Sequence, residues 1–149
     1  NEPKTHRGIF NGMLTGNCSE ITIYSDDEQV GVCNLASICL PKFVTRNSDG
    51  IVSFDYQKLN RVTQQVVNNM DKVIRNNKYP IAQAKLSDDL HRPIGVGVQG
   101  LADVYMMMGE PFDSKVSREI NSNIFETIYF AALTDWLVEM VRTVALVRQ

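Results

Sequence analysis

Between His91 and Asp103 the chain reads H-R-P-I-G-V-G-V-Q-G-L-A-D, and its glycines limit what the flanking segments can become. Gly95, Gly97 and Gly100 satisfy the G-x-G-x-x-G spacing with which a strand-turn-helix unit cradles a dinucleotide pyrophosphate. That use needs a buried strand before the first glycine, a helix at the last, and an acidic side chain about 20 positions on. The approach here, Leu86 to Pro93, is polar and ends in a proline that cannot donate to a ladder, which leaves Ile94 alone with strand character. Glu119 lies at about the right distance but in a polar helical pattern. The plainer role of the glycines is close packing, where a helix start approaches a neighbour that a Cβ would strike. A stand-alone dinucleotide-binding module is therefore the least expected function.

The rest of the chain is that of an ordinary globular protein. Its 149 residues are the size of one domain, with 44% hydrophobic and 21% charged residues. A net charge of −2 with scattered lysines and arginines provides no footprint for a nucleic acid. No basic leader with an apolar core and no apolar run of about 18 residues signals secretion or membrane insertion, so a cytoplasmic location is expected. Three cysteines without framework spacing fit a reducing compartment. They form no C-x-x-C or histidine-bearing ligand cluster, so no metal site is expected, and His6 and His91 stand alone. His91-Arg92 is expected to make structural hydrogen bonds ahead of the glycines.

Periodicity predicts the following elements. Asn1 to Thr15 reads as loop, Ile21 to Tyr24 as a short strand, and Ser25 to Gln29 as a turn. Val30 to Leu40 reads as a buried strand running into a short helical segment limited by Pro41. Asn47 to Gly50 is a turn. From Asp55, the residues Leu59, Val62, Val66, Val67, Met70, Val73 and Ile74 form an apolar stripe at spacings of three and four, predicting a helix that ends near Asn76-Asn77. A second helix is predicted from about Gly97 to Met108, stopped by Gly109 and Pro111. A third begins after Asp113-Ser114 and turns Val116, Ile120, Ile124, Ile128, Ala131, Ala132 and Leu133 inward, with Trp136, Leu137 and Met140 as its continuation. Early strands and late helices suit an α/β architecture.

The string His91 to Asp103, with Cys33-Asn-Leu-Ala-Ser-Ile38 before it and Asn123-Ile-Phe-Glu-Thr-Ile-Tyr-Phe130 after it, resembles the catalytic subunit of class I ribonucleotide reductase. The three strings occur in that family's order and at about its spacing, and the resemblance covers roughly Asn17 to Leu133. It implies that residues 1–149 are one partial catalytic-barrel domain, a piece of the family's ten-stranded α/β barrel, helix-rich in its second half. Residues 1–15 would be a poorly matched loop and 134–149 a divergent tail. The family's subunit is several times longer, and the chain starts without methionine, so an internal fragment is expected.

What the resemblance implies for chemistry falls on few residues. In the family's N-x-C-x-E pattern the cysteine becomes a thiyl radical that takes the substrate's 3′-hydrogen, and the glutamate accepts the 3′-hydroxyl proton. Cys18 and Glu20 match those positions, and in an extended segment residues i and i+2 face the same side. A carboxylate beside that hydroxyl makes it a better electron donor. The pattern's asparagine, which helps to hold the substrate hydroxyl, belongs two residues before the cysteine. Here Asn17 is adjacent to Cys18 and Gly16 stands at that position, which places Asn17 on the opposite face.

Cys33 matches one member of the family's reducing dithiol, whose partner lies outside this chain. Cys39 is expected to serve in packing.

The family's phosphate-binding loop, tyrosine radical relay, C-terminal cysteine pair and nucleotide-sensing domain are not recognisable here. The chain is thus expected to bind no cofactor directly. It would act only with the remaining large-subunit segments, a ribonucleoside diphosphate substrate, a metal-containing small subunit that supplies the radical, and an external dithiol such as thioredoxin or glutaredoxin. The alternative is an inactive homologue or a decayed or split-gene piece with a structural or interaction role.

Overall fold

The computed structural model describes residues 7–10, 13–16 and 23–147, with side chains from Ile23 to Thr134. Its centre is a parallel strand pair, β3 (Asn34–Cys39) and β6 (Ile94–Gln99), in the register Asn34↔Ile94 to Cys39↔Gln99. Parallel neighbours need a crossover, and here the chain between them carries a helical turn, a hairpin and two helices.

The longest of these, α1 (Tyr56–Asn76), is capped by the Asp55 carboxylate, which accepts from the Lys58 N–H at 2.8 Å. Its stripe packs on β3, β6 and the last helix, α4 (Lys115–Val147). Leu59, Val67 and Ile74 are buried, whereas Val73 lies at the edge of the stripe and is exposed. Thr63 is also buried on this face, its hydroxyl donating to the Leu59 carbonyl at 2.9 Å. Ile120, Ile124, Ile128 and Ala131 of α4 turn inward as their spacing predicts, but Ala132 is only partly buried and Val116 and Leu133 are exposed over somewhat less than half their surface. The α4 start follows Asp113-Ser114, where the Ser114 hydroxyl oxygen accepts from the Ser117 N–H.

The expected run from Val30 shortens to β3, and its helical segment is a 3-10 turn over Leu40–Phe43 that includes Pro41 in its first turn. Proline suits that position because the N–H it lacks has no intrahelical partner there. Strands β4 (Val44–Arg46) and β5 (Val52–Phe54) form a hairpin around the predicted Asn47 to Gly50 turn. Phe43, Phe54 and Tyr56 stack there in tilted pairs, and Leu40 and Phe43 join the buried cluster with Leu59, Val104 and Ile124.

Several expectations need correction. Within the expected N-terminal loop, β1 (Arg7–Phe10) and β2 (Met13–Gly16) pair as an antiparallel hairpin. Ile23 and Tyr24 are irregular, and Ile21 and Thr22 lie outside the described residues. The polar segment before the glycines is mostly a helix, α2 (Ala82–His91), whose buried side chains are Ala84, Ser87 and Asp88.

The largest correction concerns the glycines. Gly95 and Gly97 lie inside β6, and the following helix α3 (Leu101–Met108) starts only after Gly100, at φ +78°. Ile94, Val96 and Val98 alternate, as a strand with one buried face requires, and the glycines occupy the other face. α3 ends at Gly109, also left-handed.

Candidate functional site

Alternation along β3 divides its residues between two environments. Asn34, Ala36 and Ile38 share the face of Ile94, Val96 and Val98, which packs towards the core. Leu35 and Ser37, with Gly95 and Gly97 opposite them, form the other face. That face is open: Leu35 is 73% exposed, and an apolar depression of about 540 Å³ lies over these residues. Cys33, immediately before β3, falls on the Leu35 side by the same alternation, and its Sγ lies 3.9 Å from where a Cβ on Gly95 would stand. The Leu35 side chain takes the space that the glycine leaves, its Cδ2 lying 2.6 Å from the same point.

Cys33 is a free, half-buried thiol that donates weakly to the Asn34 carbonyl at 3.7 Å. Burial raises its pKa, and the negative charge of Asp88 raises it further, so the sulfur is held as S–H at neutral pH.

A polar cluster lies beneath the sheet end. Asp88 of α2 is fully buried, and one carboxylate oxygen accepts from the Asn34 side-chain amide at 3.2 Å and from the Tyr79 hydroxyl. Burial and this hydrogen bond both push the Tyr79 pKa up. The second Asp88 oxygen and the Ser87 hydroxyl are buried with no hydrogen-bond partner among the described residues. The α2 end is closed by Arg92, left-handed at φ 46°, whose N–H donates to the Asp88 carbonyl at 2.9 Å. The Arg92 guanidinium pairs with Asp71 of α1, which also binds Arg75. His91 Nε2 meets the Gln29 side chain at 2.9 Å, so His91 and Arg92 make the structural contacts expected of them.

Asn17, Cys18 and Glu20 lie outside the described residues. Cys39 is half-buried at the far end of β3 and, by alternation, on the open face rather than in the core cluster. Among the described residues no group of three or more His, Cys, Asp or Glu side chains could hold a metal, and no helix is long and apolar enough to cross a membrane.

Sequence reasoning did not single out Asp88, Tyr79 or the Asn34 side chain. The only local signal is helical phase, since Ala84, Ser87 and Asp88 fall at i, i+3 and i+4. The glycine run forms no dinucleotide loop: the β6 backbone around Gly95 and Gly97 is committed to pairing with β3, and it offers no turn in which N–H groups could converge on phosphate.

A parallel pair bridged by a helix, one face against helices and the other open, is the unit from which α/β sheets and barrels are built. The family profile of the ribonucleotide reductase barrel domain matches residues 13–135. The chain is 45% identical over 128 residues to the ribonucleoside-diphosphate reductase large subunit of Acanthamoeba polyphaga mimivirus, covering 86% of this chain and 14% of that protein. It is 49% identical over 116 residues to the large subunit of Danio rerio, covering 78% and 14%. The large chain of Neurospora crassa is 50% identical over 117 residues, covering 78% and 12%. This chain belongs to the ribonucleotide reductase large-subunit family, and what it represents is part of the barrel domain. It spans only about a seventh of the length of these relatives.

Proposed function

We propose that this chain forms part of the catalytic barrel of a ribonucleoside-diphosphate reductase. There it would contribute Cys18 as the radical cysteine, Glu20 as the base beside the 3′-hydroxyl, and Cys33 as one of two reducing thiols. The observation that carries the reading is the placement of Cys33 within the matched barrel segment: a protonated thiol at the start of a barrel strand, beside a glycine, on the face turned away from the helices.

The reaction needs two electrons and two protons. Cys33 and a thiol from another segment supply both as the 2′-hydroxyl leaves as water, and the two sulfurs close a disulfide that an external dithiol reopens by exchange. A thiol kept protonated suits that step, because hydrogen must travel with the electrons. The open face beside Leu35, Ser37, Gly95 and Gly97 is then the inner surface of the barrel, where glycines leave space that larger side chains would fill. Substrate, the remaining large-subunit segments and a radical-generating small subunit complete the system.

The test is reconstitution within a full-length large subunit, with small subunit, dithiol and a ribonucleoside diphosphate. Turnover should vanish with Cys18→Ala. Cys33→Ser should stop multiple turnover supported by the dithiol. Full activity in Cys33→Ser would sink the assignment, and ribonucleotide reduction by the 149-residue chain alone would overturn the need for the other segments. An inactive-homologue reading predicts no turnover from the unmutated sequence in the same assay.

A further inference from the structure

We propose that Asp88 is a positioning residue for the Cys33 thiol, holding the Asn34 side chain beneath the sheet and thereby aiming the neighbouring sulfur at the open face. The inference rests on the reading of Cys33 as a reducing thiol, but its geometry stands independently of that chemistry. Cys33 and Asn34 are consecutive at an extended strand start, so fixing one side chain on the core face directs the other to the opposite face. Two contacts join the Cys33-Asn34 segment to the α2 end. The Asn34 amide donates to Asp88 at 3.2 Å, and the Asn34 N–H donates to the Pro93 carbonyl at 3.3 Å. Asp88 itself is anchored by Tyr79 and, through its own carbonyl, by the Arg92 N–H.

Burying a carboxylate costs stability, and among the described residues one Asp88 oxygen has no partner, so a neutral side chain would hold the strand more cheaply. That cost is understandable if the charge acts on a neighbour. The Cys33 sulfur is that neighbour, and the field of Asp88 opposes its ionisation. Asp88 thus fixes the direction of the thiol through Asn34 and adds its charge to the burial that already keeps the sulfur protonated.

The experiment is peptide-resolved alkylation of Cys33 by iodoacetamide in the full chain between pH 6 and 10, with Cys39 as internal reference. Asp88→Asn keeps an acceptor for Asn34 and Tyr79 and removes the charge. Cys33 should then react at least threefold faster at pH 7.5, with its titration midpoint moved down and Cys39 unchanged. Asn34→Ala cuts the tether and leaves the Asp88 charge, and should change the Cys33 rate at least twofold with Cys39 unchanged. If Asp88→Asn fails to fold, by circular dichroism, the Asn34→Ala result decides. Rates within these limits of the parent, or equal acceleration of Cys33 and Cys39, would overturn the proposal. Because the readout is thiol ionisation, it stands apart from the turnover assay: a Cys33 that proves dispensable for reduction would leave the titration result intact.

Discussion

Gly100 packs so closely on the Pro41 ring that a Cβ there would lie 2.7 Å from both Cγ and Cδ of the proline. The contact joins the end of β6 to the turn after β3, at the point where the chain leaves the sheet for α3. A proline ring cannot rotate aside as a long side chain can. Gly100 also has φ +78°, where an L side chain is strained. Gly100→Ala should therefore cost about 2–4 kcal/mol, combining a left-handed penalty near 1 kcal/mol with overpacking. The check is the urea midpoint at unchanged slope.

Gly97→Ala should behave in the opposite way. The nearest atom to its added Cβ is the Ala36 carbonyl oxygen at 3.8 Å, an ordinary contact, and its φ is not in the left-handed range. Removing a glycine from a strand lowers the entropy of the unfolded chain, so a gain of about 0.5 kcal/mol is expected in thermal unfolding. A clear loss would mean that the β6 backbone is not extended at this position.

These two glycines show where sequence reasoning reached and where it stopped. The close-packing role suggested by the run is realised at Gly100, whereas Gly97, expected at the start of a helix, lies inside β6. Its strand character comes from β3, more than fifty residues earlier, and no local pattern records a parallel partner at that distance. The α1 helix was legible because a long apolar stripe and the capping Asp55 agree. The α2 helix was not, because it buries Ala84, Ser87 and Asp88, which look polar or small in sequence. The proposal of Cys33 as a reducing thiol rests on resemblance, since no local pattern around it points to redox chemistry. Asp88 could emerge only once α2 and the start of β3 were brought together.

The α1 and α4 interface carries much of the core, and its centre is Leu59 and Ile124, both fully buried in one cluster. Truncating either to alanine removes apolar surface and leaves a cavity that two long helices close only in part. Each change should cost about 2–5 kcal/mol. Exposed Val73, on the same α1 stripe, should lose under about 1 kcal/mol on the same substitution. Denaturant unfolding of the three variants in parallel checks the ranking, and similar losses at Val73 and Leu59 would contradict the packing described.

Cys33 and Tyr79 both have raised pKa values, chiefly from burial, and Asp88 adds to each. The folded state thus holds their protons more tightly than the unfolded chain does. Below the unfolded pKa values, about 8.5 for thiol and 10 for phenol, both states are protonated and this contribution is fully present. As pH rises, the unfolded chain releases protons first, so stability falls until the folded-state pKa values are passed. The loss should begin near pH 8 with the thiol and steepen above pH 10 with the phenol. Cys33→Ala should flatten the first segment and Tyr79→Phe should reduce the second, to which buried Tyr105 also contributes, in urea midpoints measured from pH 7 to 11. An identical alkaline slope in Cys33→Ala and the parent would show that the thiol ionises as freely in the folded chain as in the unfolded one.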